Sequence, residues 1–140
     1  FEILKYRTMV KNAESDGAVF TAANDSRVTA FGKFMRKTRM DEFPQFINIL
    51  KGDMAVIGPR PERPIFVKEI AEIMPFYETR HIIKPGLTGW AQVNYSYGET
   101  IDDSLIKLQY DLYYIKHRSI YLDMNIAFKT ITTILFYRGQ

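Results

Sequence analysis

All six prolines of this 140-residue chain fall between positions 44 and 85. A proline fixes its own φ and donates no backbone hydrogen bond, so each one dictates where regular structure in that window starts, stops or is forbidden. Pro44 suits the first position of a helix running to about Lys51, with Gly52 as its natural stop. In VIGPRPERP the proline density forbids regular structure and predicts a stiff, ordered loop over residues 57–63. Pro64 can open a helix whose Phe66, Val67, Ile70, Ile73 and Met74 share one face, and Pro75 ends or bends it. Inside KPGLTG, Pro85 and Gly86 are the preferred central pair of a type II turn.

Outside that window, side-chain periodicity carries the reading. FEILKYRTM, residues 1–9, alternates as a β-strand does, and the polar, glycine-bearing stretch after it has room for a second short strand around residues 18–21. Thr29 is a good N-cap for a helix in which Phe31, Phe34 and Met35 recur at helical spacing, with Lys33, Arg36 and Lys37 on the other side. Leu105, Leu108, Leu112 and Ile115 mark one late helix and residues 122–137 another. The latter is interrupted by Asp123, Asn125 and Lys129, which reads as a core or interfacial helix and not a spanning one. Trp90, the single tryptophan, reads as a packed residue more than a ligand platform. The predicted architecture is a single α+β domain over residues 1–140, mostly helical, with a small antiparallel β element near the N-terminus.

Composition narrows the chemistry. The chain lacks cysteine, which excludes disulfides and thiolate metal sites, and neither His81 nor His117 has a partner at zinc-ligand spacing. A net charge of +3 favours anionic partners without naming one. No apolar run reaches about 18 residues, the length a simple bilayer-spanning helix needs. Neither the phosphate-binding pattern G-x-x-x-x-G-K-[ST] nor G-x-G-x-x-G occurs, so phosphate capture here falls to arginines and a metal. Five basic residues from Arg27 to Arg39 show no interleaved stacking pattern of the kind a nucleic-acid surface uses, and no nucleic acid is expected as a partner.

The adjacent carboxylates Asp41 and Glu42 lie behind this basic run and just before the Pro44 helix. Unpaired N–H groups and the helix dipole favour negative charge there, which predicts that both carboxyls stay ionised. An ionised carboxylate among cations suits a nucleophile or a metal ligand; first-turn capping is the competing reading of the same pair. Arg60, locked between Pro59 and Pro61, projects a planar guanidinium from a stiff loop, which suits phosphate oxygens; a solvated turn arginine is the alternative. Lys84, Arg80 and His81 are weaker versions of the same idea.

The blocks RKTRMDEFPQFINILKGDMAVIGPRP and KPGLTGWAQVN, in this order and spacing, resemble the bacterial sugar transferase family, the monotopic polyprenyl-phosphate phosphoglycosyl transferases. The resemblance runs from FEILKYRTM to YDLYYIKHRSIYLD. It implies transfer of a sugar 1-phosphate from a UDP-sugar to polyprenyl phosphate, such as undecaprenyl phosphate, with release of UMP. This would start exopolysaccharide or related glycan assembly at the cytoplasmic face of the bacterial inner membrane. It further implies that Asp41 is the nucleophile and a Mg²⁺ contact, with Glu42 its partner carboxylate. Arg36, Arg60 with its flanking Pro59 and Pro61, Lys84 and Asp111 would serve the phosphate and nucleotide-sugar site.

Two features depart from the family. Where many members continue Gln-Val-Asn with Gly-Arg, this chain has Tyr95 and Ser96, and Lys84, Arg80 or an arginine of the missing N-terminal part could substitute for that arginine. The family's N-terminal re-entrant membrane helix is not in the sequence, which begins at Phe1 inside an alternating segment, so a piece of a longer, membrane-anchored protein is expected. A catalytically silent membrane- or partner-binding module is the alternative function.

Overall fold

The computed structural model describes residues 1–15, 17, 25–95 and 101–135. Thr29 caps α1 (Ala30–Lys37) as expected, its Oγ1 accepting from the Gly32 amide at 2.9 Å. One 3-10 turn (Met40–Glu42) leads into α2 (Gln45–Lys51), which starts behind Pro44 and ends at Gly52 in the left-handed conformation. Then follow β1 (Ala55–Ile57), α3 (Pro64–Ile73), a second 3-10 segment (Tyr77–Ile82), β2 (Gly86–Thr88), α4 (Trp90–Asn94), α5 (Ile101–His117) and α6 (Ile120–Leu135). The prolines act where the sequence put them: Pro64 opens α3, and α3 closes just before Pro75.

The expected antiparallel element is corrected. The described strands form one parallel pair, with Ala55 opposite Gly86 and Ile57 opposite Thr88, and α3 lies in the crossover between them. Residues 1–9 are extended but pair with no strand beyond an isolated antiparallel bridge between Met9 and Val28. Alternation reports an extended backbone and is silent about its partner. Here the partners are a side chain and a turn: Asn48 accepts from the Leu4 amide at 3.0 Å and donates to the Glu2 carbonyl at 2.8 Å. The Tyr6 amide donates to the Asp41 carbonyl at 3.0 Å. The second strand expected around residues 18–21 lies outside the described residues.

The type II turn at Pro85–Gly86 is also corrected. Such a turn needs positive φ at its third residue. Among the described glycines, only Gly17 and Gly52 have it. Gly86 is a glycine because β1 and β2 meet backbone to backbone: a Cβ there would stand 2.1 Å from the Gly58 nitrogen. Gly86→Ala must therefore open the ladder that holds Pro59, and a loss of about 1–3 kcal/mol in unfolding free energy is expected by chemical denaturation. An unchanged midpoint would contradict this account of the sheet.

Two apolar clusters form the core, and the second packs on the sheet through Ile57. One joins Phe66, Ile70, Met74, Tyr77 and Leu108; the other joins Tyr114, Leu122 and Ile126, with Ile57, Ile83, Trp90 and Val93 against it. Helix α5 contributes to both, through Leu108 and Tyr114. Trp90 is packed as expected, stacked on Tyr113 with ring centres 6.1 Å apart and covered by the Lys129 ammonium at 4.7 Å.

Helix α2 is reversed relative to a core helix. It buries Gln45 and Asn48 and exposes Phe46, Ile47 and, at 87%, Leu50. Asn48 faces inward because it ties down the N-terminal segment. Phe31 and Phe34 of α1 and Phe43 are exposed as well. Among the described residues, no helix is long and apolar enough to cross a membrane.

Candidate active site

Arg39 adopts a left-handed conformation (φ 58°) that turns the chain sharply out of α1 and into the Met40–Glu42 turn. The turn aims Glu42 inward, leaving it 8% exposed. Its Oε1 accepts from Arg60 Nη2 at 2.7 Å, with Lys5 Nζ at 3.6 Å and Arg39 Nη1 at 3.8 Å. Burial alone would raise the Glu42 pKa, but Arg60, Lys5 and Arg39 outweigh it and hold the carboxyl below its ordinary value.

Asp41 behaves differently. Its Oδ1 is buried without a hydrogen-bond partner, and its pKa is pushed up, by burial first and then by the Glu42 charge; Lys5 and Arg39 only partly offset this. The helix start expected to hold both carboxyls ionised does not act on them alike: the Glu42 pKa is lowered and the Asp41 pKa is raised. The pair lies in a separate turn ahead of α2, and its environments shift the two carboxyls in opposite directions. One is committed to cations, and the other keeps a buried oxygen without a partner.

Lys5 is a site residue that sequence reasoning missed. Its side chain is 40% exposed, yet its ammonium end stands 3.6 Å from Glu42 Oε1, and its pKa is lowered, by burial first and then by Arg60. The available signal was a charged residue in the same alternating row as Ile3.

The other expected residues separate into groups. Arg60 reaches the carboxylate pair, and Pro59 and Pro61 frame it as predicted; the Pro59 carbonyl accepts from the Gly86 amide at 2.9 Å. Arg36 is instead held by Thr8, its Nε donating to Oγ1 at 2.9 Å, on the segment that carries Lys5. Lys84 is exposed, its Nζ close to Gly52 at the end of α2. Asp111 is 2% exposed and faces Arg80 at 2.8 Å. Burial raises its pKa to about 6, with Arg80 opposing. Tyr95, where many members of the resembled family continue toward an arginine, ends α4 and donates to Asp103 at 2.6 Å. Ser96 lies outside the described residues.

Among the described residues, no three His, Cys, Asp or Glu groups gather at a metal-binding spacing. Magnesium does not require that, since it keeps several waters and binds through one or two carboxylates plus substrate phosphates. The partnerless Asp41 Oδ1 fits such an open ligand set.

The sequence profile of the bacterial sugar transferase family matches residues 1–137. The chain belongs to that family. Among its relatives, the chain is 53% identical over 135 residues to a UDP-N-acetylgalactosamine-undecaprenyl-phosphate N-acetylgalactosaminephosphotransferase of Aeromonas hydrophila, covering 96% of this chain and 32% of that protein. It is 43% identical over 135 residues to the UDP-glucose:undecaprenyl-phosphate glucose-1-phosphate transferase of Escherichia coli K12, covering 93% of this chain and 28% of that protein. With the uncharacterized sugar transferase EpsL of Bacillus subtilis it shares 34% over 143 residues, which is 99% of this chain and 65% of that protein. The sugar transferase chain thus spans about a third of the length of the first two relatives.

Proposed function

We propose that this chain carries the chemistry of a polyprenyl-phosphate phosphoglycosyl transferase. It would move a sugar 1-phosphate from a UDP-sugar to a polyprenyl phosphate such as undecaprenyl phosphate, releasing UMP and starting exopolysaccharide or related glycan assembly. The observation that carries this reading is the partnerless Asp41 oxygen beside a carboxylate already neutralised by Arg60, Lys5 and Arg39.

In this reading an Asp41 oxygen attacks the phosphorus bearing the sugar, the bond from that phosphorus to the UMP oxygen breaks, and UMP departs with the electron pair. An oxygen of polyprenyl phosphate then attacks the same phosphorus, breaks the acyl-phosphate bond and restores the Asp41 carboxylate. Splitting the exchange in two lets a soluble donor and a lipid acceptor use one pocket in turn. In this reading Arg60, Lys5 and Arg39, gathered around Glu42, would also meet the diphosphate oxygens, whose charge opposes a carboxylate nucleophile. Arg36, through Thr8, steadies the segment that delivers Lys5. A Mg²⁺ ion held by Asp41 would supply further neutralisation of phosphate charge.

The test is UMP release from a panel of UDP-sugars with undecaprenyl phosphate and Mg²⁺. Release with at least one donor is expected; none with any donor would leave the silent binding module as the better account. The pH profile adds a sharper check. Attack requires ionised Asp41, so kcat/KM falls as pH drops through its raised pKa. Glu42→Gln removes a charge that raises this pKa and moves the acid limb to lower pH. Lys5→Met removes one that lowers it and moves the limb to higher pH. Limbs that shift together, or not at all, would contradict the assigned electrostatics.

The exposed Phe31, Phe34, Phe43, Phe46, Ile47 and Leu50 support seating at a membrane surface, on the side where the lipid acceptor resides. Weak, salt-sensitive flotation with anionic vesicles is expected of this chain, and no recovery even at low salt would contradict that seating.

A further inference from the structure

Arg80 is a guanidinium buried where no phosphate reaches it. It is 6% exposed, yet each of its terminal nitrogens is used. Nη1 donates to the Tyr77 hydroxyl at 2.6 Å, and Nη2 donates to the backbone carbonyl of Arg60 at 2.7 Å. The same Nη2 stands 2.8 Å from Asp111 Oδ2, in an ionic contact without an aligned hydrogen bond. Tyr77 lies under the guanidinium as well, with its ring centre 5.1 Å from the central carbon.

Desolvating a cation and a carboxylate together costs several kcal/mol per ion, which close pairing only partly offsets. A pair of apolar side chains would serve stability as well, so what this arrangement adds is the directed bond to the Arg60 carbonyl.

We propose that Arg80, held by Asp111 and Tyr77, is a positioning residue that fixes the Pro59–Arg60–Pro61 loop so that the Arg60 guanidinium meets the carboxylate pair; this rests on the transferase reading above. The flanking prolines stiffen the loop internally, so its remaining freedom is to swing as a unit. That swing is stopped at two successive carbonyls: Pro59 is held by the Gly86 amide at 2.9 Å and Arg60 by Arg80. From there Arg60 Nη2 reaches Glu42 Oε1 at 2.7 Å. Asp111 on α5 thereby acts on the site without touching substrate.

The test crosses two backgrounds in the intact protein, with UMP release from a UDP-sugar as readout. Arg80→Lys keeps a charge for Asp111 but cannot also hold Tyr77 and the Arg60 carbonyl. With Arg60 present it should lower kcat/KM by roughly 10- to 100-fold, the usual cost of misplacing a group by about an ångström. In an Arg60→Lys background the loss should shrink to about threefold or less, because a lysine ammonium on a flexible stem does not depend on where its carbonyl is held. Tyr77→Phe removes one hydroxyl and keeps the ring, so it tests the same link should Arg80→Lys fail to fold; its smaller loss should show the same dependence on Arg60. Equal factors in both backgrounds, in an active parent, would overturn the positioning role alone. A parent enzyme releasing no UMP from any donor would overturn the transferase reading and this inference with it.

Discussion

Asp41→Asn is expected to abolish UMP release, by at least about 10⁴-fold, while leaving the fold as stable as the parent or more so. An amide oxygen cannot form the acyl-phosphate link, and the neighbouring carboxylate, Glu42, is bound to Arg60. The stability half of the prediction follows from the sign of the Asp41 shift. Its folded pKa is raised, so the folded state prefers the neutral form, and ionisation at neutral pH works against folding. Asparagine is neutral at every pH and lifts that opposition. Inactivation together with an equal or higher melting temperature marks a residue kept for chemistry at the expense of stability. Unchanged UMP release, or an inactive protein that melts well below the parent, would remove Asp41 from its role.

The second large effect concerns the buried pair. Arg80→Met leaves Asp111 2% exposed with only the weaker pull of Lys107, and strips a donor from both Tyr77 and the Arg60 carbonyl. Breaking a buried pair on one side costs roughly 3–5 kcal/mol at neutral pH. In a chain of this size that lowers the melting temperature by about 10 °C. The loss should shrink in acid. The Asp111 pKa is already raised to about 6 from an ordinary 3.8, so the folded state binds this proton more tightly than the unfolded chain and its stability falls as pH rises between those values. Without Arg80 the folded value climbs further, and lowering the pH from 7 to 5 returns stability by protonating the orphaned carboxyl. Adding Asp111→Leu should recover much of the neutral-pH loss. Melts at the two pH values check all of this; a shift of a degree or two, the same at both, would show that the pair is not energetically coupled to the fold.

What the sequence disclosed and what it hid follow a physical pattern. Local rules transferred well: Thr29, Pro44, Gly52 and Pro64 act through groups within a turn of themselves, and the helices begin and end where they stand. Pairing did not transfer. The alternation of residues 1–9 specified extended backbone, but its partners proved to be Asn48 and the Asp41 carbonyl, 44 residues from Leu4 in the first case. The true strands, Ala55–Ile57 and Gly86–Thr88, are three residues each and sit against Gly-Pro and Pro-Gly, which disguised them as turn and loop. Gly86, read as the turn partner of Pro85, is there so that backbones can touch, as are Gly58 and Gly89.

The site divides the same way. The stiff Pro59–Arg60–Pro61 loop was legible from its prolines; its target, Glu42, was not. Asp111 was legible as a buried residue in hindsight, since it follows Leu108 and precedes Tyr114 by three residues each and so shares their inward face. An aspartate in that row asks for a cation, and Arg80 answers from a separate segment that no spacing rule connects to it.

The claim that a sugar phosphate is carried on Asp41 is tested most directly by chemical capture of the intermediate. The intact protein is incubated with its UDP-sugar and Mg²⁺ but no lipid acceptor, treated with hydroxylamine, digested and read by mass spectrometry. An acyl phosphate at Asp41 would be converted to the aspartyl hydroxamate on the peptide containing residues 40–42. This modification should require the donor and should disappear when polyprenyl phosphate is added first to discharge the enzyme. A protein that turns over with both substrates yet yields no hydroxamate, or yields it on a different residue, would contradict the account.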